Sequence, residues 1–160
     1  MKDNIEEMIL DLALKDSDSA EVIYEEGESR SISFENNKLK SVYTKSIRGI
    51  GLRVIKDGKI GFSSTTDFRN PQQLVINALE SANFGQEAKF EFQTKSQLKE
   101  TKLFDENVVN YPIDKGIQLG NDAIEKILSV NPDYECGVSI GKGVGKSRLL
   151  NSNGLDTSTR

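Results

Sequence analysis

The chain contains no histidine and a single cysteine, Cys136, and these two counts limit the chemistry that its side chains could perform. Without histidine there is no Ser-His-Asp or Cys-His nucleophile, no histidine acid–base catalysis and no zinc site of the HExxH type. One cysteine cannot form a cysteine-rich zinc cluster or an internal disulfide bond. The sequence therefore predicts no catalytic centre, no cofactor and no metal site within its 160 residues.

A run of hydroxyl side chains from Ser63 to Thr66, closed by Asp67, is the nearest approach to a nucleophile site. A catalytic serine needs a base, and in the absence of histidine only a lysine could serve. No lysine is paired with this run by spacing, so we expect the hydroxyl groups to cap a strand end. Cys136 lies among apolar residues, which favours a small buried side chain over a reactive thiol.

The segment Gly141–Ser147, with the sequence GKGVGKS, resembles a phosphate-binding loop. The first glycine of that motif would fall on Ile140, and the residues after Ser147 are too rich in turn formers to begin the required helix. We therefore predict a glycine-rich hairpin turn at this place, not a nucleotide site.

Basic residues are concentrated between positions 38 and 59, where Asp57 is the only acid, whereas the first thirty residues are strongly acidic. Such a segment could bind an anionic partner, including nucleic acid, or it could be the solvated face of a sheet. The net charge of -4 and the presence of a single aromatic residue in the segment, Tyr43, argue against nucleic acid as a partner. The basic residues are Lys38, Lys40, Lys45, Arg48, Arg53, Lys56 and Lys59.

Three amphipathic helices are predicted, over about residues 4–15, 70–85 and 112–129. The first has Asp3 and Glu6 in capping-box spacing, and the second has Asn70 as N-cap before Pro71. The third ends at Asn131-Pro132. Its predicted inward residues are Ile113, Ile117, Ile124, Ile127 and Leu128.

Between the helices, alternating apolar residues predict short antiparallel strands with turns at Glu26-Gly27-Glu28, Asn36-Asn37 and Asp57-Gly58. Gly49 and Gly51 indicate that another segment packs closely on one strand. Residues 135–150 are predicted to form two further strands around a glycine-rich turn, and residues 86–111 are not assigned. The fold class is α+β, a mostly antiparallel sheet of short hairpins with about three packed helices.

Residues 22–39 and 138–155 match at a constant offset, and each block follows a helix. Either a helix-hairpin unit is used twice or the match is a coincidence of turn-rich sequence. In the first case the chain is expected to stop within an element of the second unit. The matches are Val22/Val138, Gly27/Gly143, Ser31/Ser147, Asn37/Asn153 and Leu39/Leu155.

The order and spacing of four segments resemble the N-terminal domain of the TldD/PmbA family, whose members are often named modulators of DNA gyrase. The helix containing Ala78 and Ala82 follows them as in the family, and Asn151-Ser152-Asn153-Gly154 resembles the family's Asn-Ser-x-Gly turn. The end of the fourth segment, Ser63–Asp67, resembles the PmbA (TldE) branch of the family more than the TldD branch. The four segments are 20–22, 34–42, 48–55 and 57–67.

The resemblance implies that residues 1–160 are the N-terminal α+β domain of a protein roughly three times as long. In this family TldD-type subunits bind zinc through a histidine and glutamate motif in a C-terminal domain absent from this chain. PmbA-type subunits lack those ligands and pair with TldD. The assembled protease is implicated in cleaving extended or unfolded peptides. No metal ligand can be carried over, because this chain has no histidine.

For the domain itself we expect substrate enclosure and subunit pairing, with a TldD-type subunit or a second copy as partner. A glycine-lined sheet can accept an extended peptide by strand addition. Arg48 and Arg53 could face an acidic partner. The alternative is a non-enzymatic module that binds DNA gyrase or nucleic acid through residues 38–59. No apolar run could cross a membrane and no signal peptide is evident, so we expect a cytoplasmic protein.

Overall fold

The computed structural model describes residues 4–95 and 103–160 of the chain. These residues form five strands and four helices. They divide into two compact units: unit 1 contains residues 4–26, 48–95 and 146–160, and unit 2 contains residues 27–47 and 103–145. In chain order the elements are α1 (Ile5–Ala13), β1 (Ser19–Glu35), β2 (Lys38–Lys56), β3 (Lys59–Thr65), α2 (Pro71–Ala82), α3 (Glu106–Val109), α4 (Ile113–Val130), β4 (Val138–Asn151) and β5 (Asp156–Thr159).

The strands form one sheet in the order β3-β2-β1-β4-β5, which confirms the predicted α+β class with a mostly antiparallel sheet. Two of the predicted turns are confirmed by positive φ angles, at Asn36 (49°) and Asn37 (63°) and at Asp57 (50°) and Gly58 (72°). Both residues of each turn are left-handed, as a two-residue hairpin of type I′ requires. The second turn sets the β2–β3 register, in which Lys56 pairs with Lys59.

The strands are much longer than the predicted short hairpins. The turn predicted at Glu26-Gly27-Glu28 is wrong, because Gly27 lies inside the 17-residue strand β1. A Cβ on Gly27 would meet the carbonyl oxygen of Val144 at 3.1 Å, so this glycine permits close approach of the backbones. The hairpin turn predicted at Gly141–Ser147 is also wrong, because β4 runs through this segment without interruption.

The core of unit 1 is formed by α1 and α2 against one face of the sheet. Ile50, Leu52 and Val54 are almost fully buried on that face, as the alternation predicted. Complete burial of such side chains contributes about 1.5–3 kcal/mol each. The N-cap prediction for α2 is confirmed, since the Asn70 side chain accepts a hydrogen bond from the Gln73 amide at 3.2 Å.

The close approach predicted at Gly49 and Gly51 is present at Gly51 but not at Gly49, and it does not involve a helix. A Cβ on Gly51 would meet the side chain of Ile23, and one on Gly49 would be in ordinary contact with Thr65. The helix instead presses on Gly61 of β3, where a Cβ would lie 2.1 Å from the carbonyl oxygen of Ala78. Gly61 pairs with Val54 and so belongs to the buried face.

Helix α1 confirms the first predicted helix, with Asn4 at its N-cap position. No side-chain hydrogen bond caps the helix there, and the Asn4 side chain instead donates to Glu7. The predicted capping box consisted of Asp3 and Glu6, and Asp3 lies outside the described residues.

The core of unit 2 is built from Ile32 and Phe34 of β1 against α4. Gly116 and Gly120 let the helix approach, because a Cβ at these positions would meet Ile32 at 2.5 Å and Phe34 at 2.2 Å. The predicted inward residues Ile113, Ile117, Ile124 and Leu128 all take part in this cluster. The prediction for Ile127 is wrong, since it is 37% exposed.

Residues 86–95 follow α2 and belong to the segment for which the sequence predicts no secondary structure. They cover the start of β3. The Ile60 amide donates to the carbonyl of Gln86 at 2.9 Å, and the Ala88 amide donates to the carbonyl of Gly58 at 2.8 Å. Further along, Phe92 is 3% exposed. Residues 96–102 of this segment lie outside the described residues.

The order of elements agrees with a duplicated helix-hairpin unit. Both α1-β1-β2 and α4-β4-β5 consist of a helix, a long strand, a tight turn and a partner strand. The turn of the first unit contains Asn37 and the turn of the second contains the matching Asn153.

Candidate functional site

The edge of β2 in unit 2 is open. Strand β3 pairs with β2 only from Ile50 to Lys56. Within residues 4–95 and 103–160, no strand pairs with the outer edge of β2 between Lys38 and Ile47. An unpaired edge presents a row of backbone N–H and C=O groups that an extended chain can pair with.

Large apolar side chains are exposed along the same stretch of β2. Three lysines, Lys38, Lys40 and Lys45, lie among them, and charged side chains of this kind help natural edge strands to avoid indiscriminate aggregation. Lys40 is paired with Glu35. We call the stretch from Lys38 to Ile47 the β2 edge. Its exposed apolar side chains are Leu39 (46%), Val42 (39%), Tyr43 (56%) and Ile47 (52%).

The outer edge of β3 in unit 1 is occupied over much of its length, in contrast to the β2 edge. The Ile60 amide is bonded to Gln86, as described above. The Ser81 hydroxyl of α2 accepts from the Phe62 amide at 2.7 Å and donates to the Phe62 carbonyl at 3.1 Å. The β3 edge is therefore a poor site for an added strand.

Lys142, the first of the two lysines in the phosphate-loop-like segment, has a structural role. Lys142 lies within β4, and its ammonium donates to the carbonyl oxygens of Val108 (3.1 Å), Val109 (2.7 Å) and Tyr111 (3.1 Å). These carbonyls lie at the end of α3, where helix carbonyls lack intrahelical partners. The segment is an extended strand, which agrees with the rejection of a nucleotide site although not with the predicted turn.

Arg48 and Arg53, proposed from the sequence to face an acidic partner, are engaged within unit 1. The Arg48 guanidinium lies 4.4 Å from the ring centroid of Phe68. Arg53 forms an ion pair with Glu21 and lies over the rings of Phe90 and Phe92, at 5.4 Å and 5.2 Å. Cation–π contacts of this kind stabilise by about 0.5–2 kcal/mol.

The basic residues between positions 38 and 59 do not form one patch within either unit. Lys38, Lys40 and Lys45 belong to unit 2, and the remaining four belong to unit 1. Among the latter, the Lys59 ammonium donates to the carbonyl of Asn83 at 3.3 Å. The basic residues that are close together in the sequence are therefore divided between the two units.

The polar run at the end of β3 caps the strand, as predicted. The Thr65 hydroxyl accepts from the Asp67 amide at 3.0 Å and donates to the Asp67 carbonyl at 3.1 Å. Two hydrogen bonds from the Arg69 guanidinium hold the pKa of Asp67 at about 2, well below its ordinary 3.8.

Cys136 is part-buried beside the core of unit 2. Its thiol donates to the side-chain oxygen of Asn37 at 2.9 Å, and its amide donates to the same oxygen at 2.9 Å. It is less buried than predicted, because it lies where the β1–β2 turn meets the start of β4.

A polar cluster on the sheet of unit 1 was not predicted from the sequence. The Tyr24 hydroxyl donates to Glu26, and the Lys146 ammonium lies 3.3 Å from the same carboxylate. Burial, together with the bond to Glu26, raises the pKa of Tyr24. The bonds from Tyr24 and Lys146 lower the pKa of Glu26. Both groups thus keep their ordinary protonation states, which suits a structural role rather than proton transfer.

The Asn-Ser-Asn-Gly turn between β4 and β5 holds the segment that follows α2. Asn151, 4% exposed, donates to the carbonyl of Gln93 at 2.9 Å and accepts from the amides of Asn153 (2.9 Å) and Leu155 (3.2 Å). The Asn153 side chain donates to the carbonyl of Phe92. Only the turn, and not these bonds, could be expected from the sequence.

The described residues do not fit the zinc that the family resemblance implies. Among residues 4–95 and 103–160, no three His, Cys, Asp or Glu side chains come together as a ligand set for a metal ion. Across the same residues, no helix combines the length and the apolar character needed to span a bilayer.

Comparison with known proteins defines the class of this domain. The family described as PmbA/TldA metallopeptidase domain 1 matches residues 20–82. TldE from Thermococcus kodakarensis superposes with a TM-score of 0.85 at 17% identity, covering 97% of this chain and 36% of that one. A proposed modulator of DNA gyrase from Bacteroides thetaiotaomicron gives 0.84 at 20% identity, covering 99% and 39%. At these identities the structures establish the fold alone.

Residues 20–82 of this chain therefore resemble domain 1 of the PmbA/TldA metallopeptidase family, in agreement with the resemblance seen in the sequence. An uncharacterized protein of Methanocaldococcus jannaschii is 31% identical over 94% of the chain. The chain spans about a third of the length of that relative (35%) and of the TldE structure (36%).

Proposed function

We propose that this domain encloses extended peptide substrates and pairs with a second subunit in a TldD/PmbA-type peptidase. The family is described as metallopeptidase-like, which supports a role in peptide cleavage. The catalytic zinc would belong to another domain or subunit, because the described residues of this chain offer no ligand set. We expect the assembly to act in the cytoplasm.

The open β2 edge is the observation that carries the peptide-binding part of the proposal. Its backbone groups can add one more strand, and main-chain hydrogen bonds of this kind bind peptides with little regard to sequence. The exposed side chains of Tyr43 and Ile47 offer apolar contacts to an added strand. Lys38 and Lys45 favour a peptide with acidic or neutral side chains over a basic one.

Titration of the 160-residue chain with a short extended peptide tests strand addition. The probe is a capped hexapeptide of alternating valine and threonine, and the control has the same side chains but every backbone nitrogen methylated, so that neither edge of the peptide retains a donor. Amide chemical shifts along the β2 edge should change saturably with the first peptide and not with the second, since methylation removes the hydrogen-bond donors. Equal shifts with both peptides, or shifts confined to unit 1, would disprove the proposal.

A matched pair of variants locates the binding surface. Tyr43→Ser removes an exposed apolar side chain from the β2 edge and should weaken peptide binding severalfold. Phe84→Ser removes a side chain that is 93% exposed in unit 1 and should leave the affinity unchanged. If Phe84→Ser has the larger effect, the peptide binds elsewhere.

Subunit pairing is tested separately by measuring affinity for a TldD-type zinc subunit, with an unrelated acidic protein as control. The similarity to TldE supports such a partner, and self-association measured by ultracentrifugation tests the homodimer. Binding to the subunit should exceed binding to the control. The nucleic-acid alternative would replace this proposal if DNA bound in a salt-sensitive manner and neutralising Lys38, Lys40 and Lys45 abolished the binding.

A further inference from the structure

Unit 2 contains a pocket of about 380 Å3 formed by β1, β4, α3, α4 and the turn before α4. Pockets that bind small molecules have volumes from about 300 Å3 upward and combine an apolar lining with a few polar groups. The size of this pocket suits one small ligand. Its apolar lining includes Ile32, Val108, Tyr111, Ile113, Leu119 and Ile140.

The walls of the pocket are held in place by contacts within unit 2. On one side, Gly116 seats α4 directly on Ile32, where a Cβ would lie only 2.5 Å from the isoleucine Cδ1. On the other side, Lys142 binds three carbonyl oxygens at the end of α3, at 2.7–3.1 Å. Since both walls are fixed by contacts within unit 2, the pocket exists before a ligand enters and binding needs little reorganisation.

The charged side chains that line the pocket are both cationic, Arg30 and Lys142. Lys142 donates its hydrogen bonds to carbonyl groups, so it contributes mainly its positive charge. Arg30 donates to the Thr44 hydroxyl at 3.2 Å and to Glu28 at 3.4 Å, and its side chain remains 26% exposed. A guanidinium has five N–H donors, so Arg30 retains donors that bond to none of the described residues.

From this combination we propose that the pocket binds a carboxylate attached to an apolar group. The carboxylate would accept hydrogen bonds from Arg30 in the positive field of Lys142, and the apolar group would pack against Ile32 and Leu119. Two sources share this chemistry, the C-terminal residue of a peptide and a free aliphatic acid. Arg30 also contacts Thr44 of the β2 edge, but the proposed site does not depend on peptide binding there.

Titrations of the 160-residue chain with four probes test the site and distinguish the sources. N-acetylphenylalanine represents a peptide C-terminus and octanoate represents a free acid. Each is compared with its neutral amide, N-acetylphenylalanine amide or octanamide. Amide signals of Gly116 and Lys142 should shift saturably with at least one of the two acids. The corresponding amide should bind about tenfold more weakly, since it lacks the charge-assisted hydrogen bonds.

Variants separate the charge from the apolar contact. Arg30→Gln should lower the affinity for the acid about tenfold while leaving the weak binding of the neutral amide unchanged. Leu119→Ser alters a side chain that is 51% exposed and should weaken acid and amide alike. Arg69→Gln, in unit 1, removes another arginine beside a carboxylate and should change neither affinity.

Preferential binding of N-acetylphenylalanine would assign the pocket to peptide C-termini, and preferential binding of octanoate would assign it to free acids. The proposal is overturned if neither acid gives a saturable shift in unit 2. It is also overturned if the amides bind as tightly as the acids, or if Arg30→Gln binds the acid with unchanged affinity.

Discussion

The carbonyl oxygen of Ala78 lies so close to Gly61 that a Cβ on this glycine would come within 2.1 Å of it. The nearest atom is backbone, which cannot rotate away as a flexible side chain could. The contact fixes the distance between α2 and β3, which pack against each other in unit 1. Helix α2 also supplies Ser81, whose hydroxyl occupies the edge of β3, so the same packing closes that edge.

Gly61→Ala should therefore destabilise unit 1 by about 1–3 kcal/mol, the range for overpacked cores. Backbone amides of β3 should lose protection from hydrogen exchange by a corresponding amount. Gly143→Ala is the matched control, since a Cβ at Gly143 has no neighbour within 4 Å. If Gly61→Ala is no less stable than this control, the close packing of α2 on β3 is incorrect.

The position of this glycine shows what the sequence could and could not predict. Alternation of Ile50, Leu52 and Val54 was enough to predict the buried face, because a strand alternates faces with period two. Gly49 and Gly51 were expected to receive the packed segment, yet the helix contacts Gly61. Which glycine receives a helix depends on the path of the chain after the strand, and local spacing does not encode that path.

Asn151→Ala tests the turn that holds the segment after α2. Asn151 is buried and makes one donated and two accepted hydrogen bonds, to Gln93, Asn153 and Leu155. Loss of bonds to a buried polar group costs about 1–3 kcal/mol, so we expect a free energy of unfolding lower by about 2 kcal/mol. Denaturant unfolding measures this change.

Asn77→Ala provides the comparison for that measurement. Asn77 is exposed on α2 and accepts one hydrogen bond from Gln73. Its replacement should change stability by no more than about 0.5 kcal/mol, and alanine's higher helix propensity favours a gain. Equal losses for the two variants would mean that the Asn151 bonds contribute nothing specific.

The candidate site was only partly predictable. The Asn36-Asn37 and Asp57-Gly58 turns were correctly read, and they fix where β2 begins and ends. The open β2 edge was not predicted, because it exists only where β3 stops pairing at Ile50 and β2 continues. The pocket in unit 2 could not be found either, since its wall depends on Lys142 reaching residues more than thirty positions earlier in the chain.

Lys142→Met should loosen the end of α3 without unfolding unit 2. The variant keeps an apolar chain of similar length but loses the hydrogen bonds to the carbonyls of Val108, Val109 and Tyr111. The amides of Asn110 and Tyr111 should exchange about tenfold faster, as expected when roughly 1.4 kcal/mol of local stability is lost. Hydrogen exchange followed by NMR reports each amide separately.

Lys115→Met is a suitable control, because Lys115 is exposed on α4 and the substitution changes charge and side chain in the same way. It should leave exchange at Asn110 and Tyr111 unaltered. If Lys142→Met behaves like this control, the ammonium does not hold the wall of the pocket.

Titration of Asp67 tests the capped end of β3 as a function of pH. The Arg69 guanidinium lowers the pKa of Asp67 from its ordinary 3.8 to about 2, so the folded protein favours the charged carboxylate. A lowered pKa means that the stabilising contribution is complete above pH 4–5 and is lost as the pH falls toward 2. The carboxyl carbon signal of Asp67 should therefore titrate with a midpoint near 2 at low ionic strength.

Both the Asp67 and the Arg69 side chains are exposed, so 1 M salt should move the midpoint upward. Arg69→Gln should restore it to near 3.8, whereas Lys126→Gln, which removes a cation from unit 2, should leave it in place. A midpoint near 3.8 in the unmodified protein would show that the Asp67–Arg69 pair does not persist in solution.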